Sequence, residues 1–241
     1  MVPQSRPPIL ITRTQPQASR FARQLRRLNW TGKVLVSPLL EPVFLNPTLP
    51  NLPFHAVILT SEAAALAARN LAGLPKLAFC VGDRTAQVAR RAGFTAQSAK
   101  GDASDLLAVI LKAGAPGPFL YLHGRETAET LVQDLNAAGT ETHSLVVYAQ
   151  NPRPLGAHAL HLIRQPGPVI LPILSPRSAS LLAAAWQAAG SKATPHVAAL
   201  SQAIATAAAP LHPESMTIAE RPDGDSLLVA LSQLGTISGW A

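Results

Sequence analysis

The chain has one cysteine, Cys80, so it has no internal disulfide and no Cys-based metal cluster. Cys80 lies in the apolar run LAFCVG and reads as core. Only 5 % of residues are aromatic, and none interleaves with the basic residues as a base-stacking platform would require. No stretch of about 18 consecutive apolar residues could span a bilayer. No signal peptide opens the chain, and the expectation is a soluble cytoplasmic protein. A Walker loop and a G-x-G-x-x-G turn are both missing, and GDRT and GDAS are too short to be nucleotide loops. There is no zinc-ligand spacing, helix-turn-helix signature, Lys-rich tail or recognisable Ser-His-Asp spacing. The seven histidines (His55, His123, His143, His158, His161, His196, His212) are scattered. Only His158 and His161 are close, and no acidic ligands flank them. No metal and no cofactor are expected. Acidic residues are also short: 13 Asp+Glu against 20 Lys+Arg give a net charge of +7 and a pI near 10.3. That balance permits nucleic acid, an anionic surface or an acidic small molecule as partner.

What the chain does have is apolar content, 48 % over 241 residues, much of it alanine. This is enough for one large domain or two small ones. Short apolar runs at 9–12, 34–40, 56–60, 77–81, 119–122, 144–148, 169–174 and 196–200 read as buried strands. Alanine-rich helical patterns follow most of them. This is the alternation of a parallel sheet covered on both faces, an α/β protein. In the first helix Arg20, Arg23 and Arg27 oppose Ala18, Phe21, Ala22, Leu25 and Leu28, so the arginines read as a solvated face rather than a nucleic-acid stripe.

The pattern repeats. KVLVSPLLEP (33–42) lies over HSLVVYAQNP (143–152) at an offset of 110, matching Leu35 with Leu145, Val36 with Val146 and Pro42 with Pro152. At the same offset Ala18 matches Ala128 and Leu25 matches Leu135. Further pairs keep their order as the offset grows: Ser61 with Ser175, Gly82 with Ser201, Leu107 with Leu228. We read an internal duplication, X-Y-X-Y, with X at about 8–40 and 118–150, and Y at about 55–113 and 169–235. Each X plus Y would build one doubly wound sheet. The repeat leaves open whether the first X joins the first or the second Y.

Open α/β sheets bind ligands outside the carboxyl ends of their strands. Those ends carry Thr12-Arg13, Thr60-Ser61, Gly82-Asp83, His123-Gly124 and Ser175-Pro176. Ser61 and Ser175 precede helices and serve equally as N-caps or as ligand contacts. Arg13 fits a carboxylate partner or a surface ion pair. Tyr148, where the run SLVVY turns into AQNPRP, is either a core ring with a wet hydroxyl or a phenol held out for chemistry.

The chain resembles the uroporphyrinogen-III synthase family over essentially its whole length. The resemblance rests on the order and spacing of ILITRTQPQASRFARQL, PLLEPVFL, AVILTSEAAALAA, FCVGDRTAQVARRAGF, GDASDLLAVI, LYLHGRET, LVVYAQ, ILSPRSASLLAA and VAALSQAIATA. It implies two flavodoxin-like lobes joined by a two-stranded linker, one of residues 1–37 plus 153–241 and the other of 38–152. The implied reaction is closure of the linear tetrapyrrole hydroxymethylbilane, with loss of water and inversion of ring D through a spiro intermediate. The electrophile is an azafulvene cation made by the substrate, so the protein must assist hydroxyl departure and orient ring D. The resemblance makes Tyr148 the candidate proton donor, since phenols stay protonated at neutral pH. It makes Arg13, Thr60, Ser61, Gly82, Thr85, Gly101, Ser104, Gly124, Ser175 and Ser178 candidate substrate contacts. The eight carboxylates of the substrate suit a basic chain. LSQAIA departs from the family's I-G-P-x-T-A, with Ser201 in place of glycine, and Ser104 stands where the family has asparagine. A monomer without nucleic-acid or membrane partner is implied. The competing readings are a non-catalytic two-lobed module that binds an anionic ligand and, from the high pI, a nucleic-acid binder.

Overall fold

A computed structural model describes residues 6–114, 117–126 and 130–234. In chain order the elements begin with β1 (Ile9–Ile11), α1 (Gln17–Arg27) and β2 (Val34–Val36). Next come β3 (Leu40–Phe44), β4 (Ala56–Leu59), α2 (Glu62–Ala68), β5 (Leu77–Cys80), α3 (Asp83–Arg91), β6 (Thr95–Ser98) and α4 (Ala103–Ala113). Then follow β7 (Phe119–Gly124), α5 (Thr130–Ala137), β8 (Thr142–Pro152) and α6 (Ala157–Arg164). The chain continues with β9 (Gly167–Ile173), α7 (Pro176–Ala188), β10 (Ala193–Ala199), α8 (Gln202–Ala208), β11 (Ser215–Ile218) and α9 (Gly224–Leu234). Two compact units result, Met1–Glu41 with Pro152–Ala241, and Pro42–Asn151. The ends 1–5 and 235–241 of the expected first lobe lie outside the described residues, as do Ala128, the expected match of Ala18, and the final Thr127 of LYLHGRET.

The first unit holds a five-stranded sheet in the order β11-β10-β9-β1-β2. Its pairs are all parallel. β1 is apolar and buried at every position, as a central strand covered on both faces must be. Phe21 and Leu25 of α1 pack with Leu227 and Leu231 of α9 against Ile9 and Ile11. Leu182 and Trp186 of α7 and Ile163 of α6 cover Leu10, Leu171 and Val197 on the other face. Renumbered within the unit, the strand order is 2-1-3-4-5, that of flavodoxin-like sheets.

The second unit holds a six-stranded sheet, β3-β8-β7-β4-β5-β6. The pairs β8·β7, β7·β4, β4·β5 and β5·β6 are parallel. Ala64, Ala65 and Ala68 of α2 and Ala86 and Ala89 of α3 lie over Val57, Leu59, Leu120 and Leu122. Leu106 and Ile110 of α4 and Leu131 and Leu135 of α5 lie over Ile58, Phe79 and Phe119. Small alanines on α2 and α3 let those helices sit close to the sheet, which is why so little aromatic bulk suffices.

β1 and β2 therefore pair with β9, β10 and β11, while β7 and β8 pair with β4, β5 and β6. In each sheet the strands of an X segment flank those of a Y segment in the same spatial order, and the first X joins the second Y. Positions matched by the repeat play equal parts. Ser61 and Ser175 are N-caps of α2 and α7, and Gly82 and Ser201 are N-caps of α3 and α8. Leu25 and Leu135 are both buried.

The structure differs from the run-by-run reading in three places. The run 34–40 is two strands, because Pro38 has no N–H to pair and β3 beyond it joins the second sheet. β6 and β11 are additional strands, both at sheet edges. Among the described residues, no helix is long and apolar enough to cross a membrane, and no three His, Cys, Asp or Glu are grouped to hold a metal ion.

Candidate active site

In the second unit the strand order reverses between β7 and β4, and the chain segments that leave their carboxyl ends diverge there. Such a switch point is where open α/β sheets place ligands. β4 ends at Leu59 and delivers Thr60 and Ser61 to this position. Ser61 caps α2, its Oγ accepting from the Ala64 N–H at 3.0 Å. The same Oγ donates to the Tyr148 hydroxyl at 3.2 Å. Thr60 Oγ1 lies 2.9 Å from the Tyr121 hydroxyl. The chain has two tyrosines, and both end on this one dipeptide.

The two rings arrive from opposite faces of the sheet. Tyr121 belongs to the α4/α5 side and Tyr148 to the α2/α3 side. Tyr148 owes its place to an irregularity in the β7·β8 register: His123 pairs with Val146 but Gly124 pairs with Tyr148. The extra residue lets Val147 and Tyr148 both pack into the α2/α3 core instead of alternating. Bulges of this kind re-aim side chains and recur beside active sites. The Arg125 N–H donates to the Tyr148 carbonyl at 2.9 Å and holds the backbone there.

The direction of the Ser61–Tyr148 bond matters chemically. A serine hydroxyl has one proton. Ser61 Oγ accepts from Ala64 and spends its proton on the phenol oxygen. The phenol is thus an acceptor in this bond and keeps its own proton for another partner. Tyr148 is 5 % exposed, with its ring in the core. The two readings of the tyrosine are consequently not exclusive: the ring is packed, and the hydroxyl is held by a capping serine.

The remaining candidates of this unit sit further along the sheet. Gly82 is the N-cap of α3, with extended backbone and open space where a side chain would be. Nothing in the fold demands glycine there. Thr85, in the first turn of α3, is buried. Gly101 precedes a capping box, and Ser104 lies within it. Asp102 accepts from the N–H groups of Ser104 and Asp105, and Asp105 accepts from the Asp102 N–H. The start of α4 is thereby occupied by two carboxylates of the chain itself, which disfavours a substrate carboxylate at Ser104. Gly101 has its own reason to be glycine, because a Cβ would strike the Asp105 carboxylate.

In the first unit Arg13 follows β1 and Ser175 follows β9, on neighbouring strands. Ser175 Oγ accepts from the Ser178 N–H at 3.1 Å and lies 2.8 Å from Ser178 Oγ. With Pro176 at the first helical position, this is a complete N-terminal cap.

A family model described as "Uroporphyrinogen-III synthase HemD" matches residues 19–229. The chain belongs to the uroporphyrinogen-III synthase family. That family is a cyclising lyase of haem biosynthesis acting on a tetrapyrrole. Among solved structures, the uroporphyrinogen-III synthetase of Helicobacter pylori is similar with a TM-score of 0.62 at 19 % identity, covering 95 % of this chain and 99 % of that one. A mutant uroporphyrinogen III synthase from Thermus thermophilus aligns with 94 % of this chain and 98 % of its own at 14 % identity, with a TM-score of 0.46. No curated protein matches the chain.

Two neighbours of Tyr148 escaped the sequence reading. Tyr121 reads as core inside the run FLYL, and it is buried; only its hydroxyl contact to Thr60, 61 positions away, marks it out. His123 is 2 % exposed and stacks on Tyr121 with ring centroids 4.9 Å apart. Its Nδ1 lies 2.9 Å from the Gly124 carbonyl. A carbonyl can only accept, so Nδ1 carries the proton. The sequence signal was present in the dipeptide His123-Gly124 at a strand end, but nothing in the sequence singled out the histidine.

Proposed function

We propose that this protein cyclises hydroxymethylbilane to uroporphyrinogen III, and that Tyr148 protonates the departing hydroxyl. The family match over residues 19–229 carries the activity. The Ser61 hydroxyl donating to the phenol supports the role of Tyr148, because a phenol that accepts from Ser61 has its proton left to give.

The sequence of events uses few protein groups. A pyrrole nitrogen lone pair expels the terminal hydroxyl. The Tyr148 O–H supplies a proton, so that the leaving group departs as water, and the C–O bond breaks. The phenolate oxygen formed is stabilised by the Ser61 hydroxyl, and Ser61 is in turn polarised by the Ala64 N–H. The substituted carbon of ring D attacks the azafulvene carbon, and the spiro intermediate rearranges and recloses. The proton released when the last pyrrole regains aromaticity restores the phenol. Substrate carboxylates are held at Arg13, at Thr60 and Ser61, at the open N-cap Gly82 with the N–H of Thr85, at Gly101 and Ser104, and at Ser175 and Ser178. Of these, Ser104 and Gly101 have the weakest support, since Asp102 and Asp105 already cap α4.

We take the enzyme to act as a cytoplasmic monomer with no cofactor and no nucleic-acid or membrane partner. The test of the activity is to supply hydroxymethylbilane and separate the type III from the type I macrocycle. An excess of type III supports the assignment. Type I alone, at the rate of the uncatalysed closure, overturns it.

A further inference from the structure

We propose that Gly124 is a positioning residue for Tyr148, and that its missing side chain is the space the phenol occupies. The proposal rests on the reading of Tyr148 as proton donor. A Cβ on Gly124 would lie 2.6 Å from Cζ, 2.8 Å from Cε2 and 2.8 Å from Oη of Tyr148. The backbone does not require glycine here: Gly124 is not among the residues with positive φ. The three nearest atoms to such a Cβ all belong to the Tyr148 phenol.

Neither partner has slack. The Gly124 carbonyl accepts from Nδ1–H of the buried His123, whose ring is stacked on Tyr121. Gly124 also pairs with Tyr148 across β7 and β8, and the next N–H, of Arg125, donates to the Tyr148 carbonyl. The backbones are thus locked together at the point of approach, and a methyl group at 124 must move the phenol. Carbon–carbon contacts settle near 3.5–4.0 Å, so the ring has to retreat by roughly 1 Å. The Ser61–Tyr148 bond, already 3.2 Å, cannot survive a displacement of that size in most directions. A misplacement of about 1 Å can cost on the order of 10²-fold in rate.

The test compares Gly124→Ala, Tyr148→Phe and the double variant by steady-state kinetics. It adds carbon-13 spectra of tyrosine-labelled protein, in which two ring signals are assigned by Tyr148→Phe. For Gly124→Ala we expect kcat to fall roughly 10–10²-fold with KM held within about twofold. The double variant should be no slower than Tyr148→Phe, and the Tyr148 signal should move while that of Tyr121 stays. Four results overturn the proposal: normal kcat in Gly124→Ala beside a crippled Tyr148→Phe; a fixed Tyr148 signal; additive losses in the double variant; or a raised KM with kcat kept, which is the signature of direct substrate contact. Full activity in Tyr148→Phe overturns the proton-donor reading and the proposal with it, a pattern distinct from those four. If Gly124→Ala does not fold, the same methyl is introduced into Tyr148→Val, where the ring is gone. An unchanged thermal midpoint there supports the steric seat, and a further drop refutes it.

Discussion

Replacing Tyr148 by Phe removes one oxygen from a ring that is otherwise packed among Val147, Leu122 and the α2 alanines. The ring still fills its place, so no cavity opens. Ser61 keeps its bond from Ala64 but loses the acceptor for its own proton. Leaving a partly buried donor unpaired costs about 1–2 kcal/mol. For a chain of this length that lowers the midpoint by roughly 2–4 °C per kcal/mol. If the phenol donates the proton, type III formation falls about 10²-fold, the lower end for general acid catalysis, equivalent to about 2.7 kcal/mol of barrier. Type III product and thermal midpoint are measured on one preparation. A lowered midpoint with full activity per folded molecule means that the hydroxyl is only structural. Full activity at an unchanged midpoint means that it is neither bonded nor catalytic, and the reasoning from the Ser61 contact is then wrong. Ser61→Ala should slow the reaction less than Tyr148→Phe, since the phenol keeps its proton, while losing about 1 kcal/mol of capping.

Gly32→Ala should destabilise the first unit by about 1–3 kcal/mol in denaturant titrations, because a Cβ there would strike the Arg6 and Pro7 carbonyl oxygens and lie 2.7 Å from Trp30 Nε1. His196, buried with Nδ1 2.7 Å from Ser215 Oγ, is pushed below its ordinary value of 6.5 by burial, partly offset by Glu214. The unfolded chain then binds a proton more readily, so stability is complete above about pH 6.5 and falls as pH drops toward the folded value. Urea midpoints at pH 7.5 and 5.5 should show this slope, and His196→Asn should reduce it. Burial pushes the Cys80 thiol up to about 12, so iodoacetamide at pH 8 should label it only as fast as the protein opens. Rapid labelling of the native state would refute its burial.

The parts of the fold legible in the sequence are those written in apolar runs. β4, β5 and β9 are buried on both faces and announce themselves. β6, as Thr-Ala-Gln-Ser, and β11, as Ser-Met-Thr-Ile, do not, because an edge strand is half-buried and takes its conformation from the neighbour it pairs with. The repeat carried more than any single motif. Ser61 with Ser175 and Gly82 with Ser201 are equivalent caps because each strand-to-helix turn was copied with its chemistry. In the candidate site, Thr60, Ser61, Gly124 and Tyr148 meet as neighbours; the first three could be named from strand ends and Tyr148 from the end of its apolar run, although β8 continues to Pro152. Their connection could not. Which face Tyr148 takes depends on one irregular residue in the β7·β8 register, and the burial of Thr85 on the phase of α3, neither of which a residue pattern encodes. The capping box of Asp102 and Asp105 was written in GDASD, but it competes with the substrate contact expected at Ser104.

The crossed pairing of repeats has a consequence in time. The strands of the Pro42–Asn151 unit are contiguous in sequence, so that unit can close while the chain is still being made. β1 and β2 are made first but must wait for β9, which begins at Gly167, some 131 residues after Val36. At about 5–20 residues per second that is roughly 7–26 s during which Ile9, Leu10 and Ile11 have no sheet to enter on the β9 side. The earliest-synthesised strand is among the last to be completed. The interval is long compared with the microseconds in which apolar chains collapse. A newborn chain of this kind therefore offers a sticky N-terminal segment to any holdase at the ribosome exit, and truncations that end before residue 167 should aggregate through it while leaving the middle unit folded.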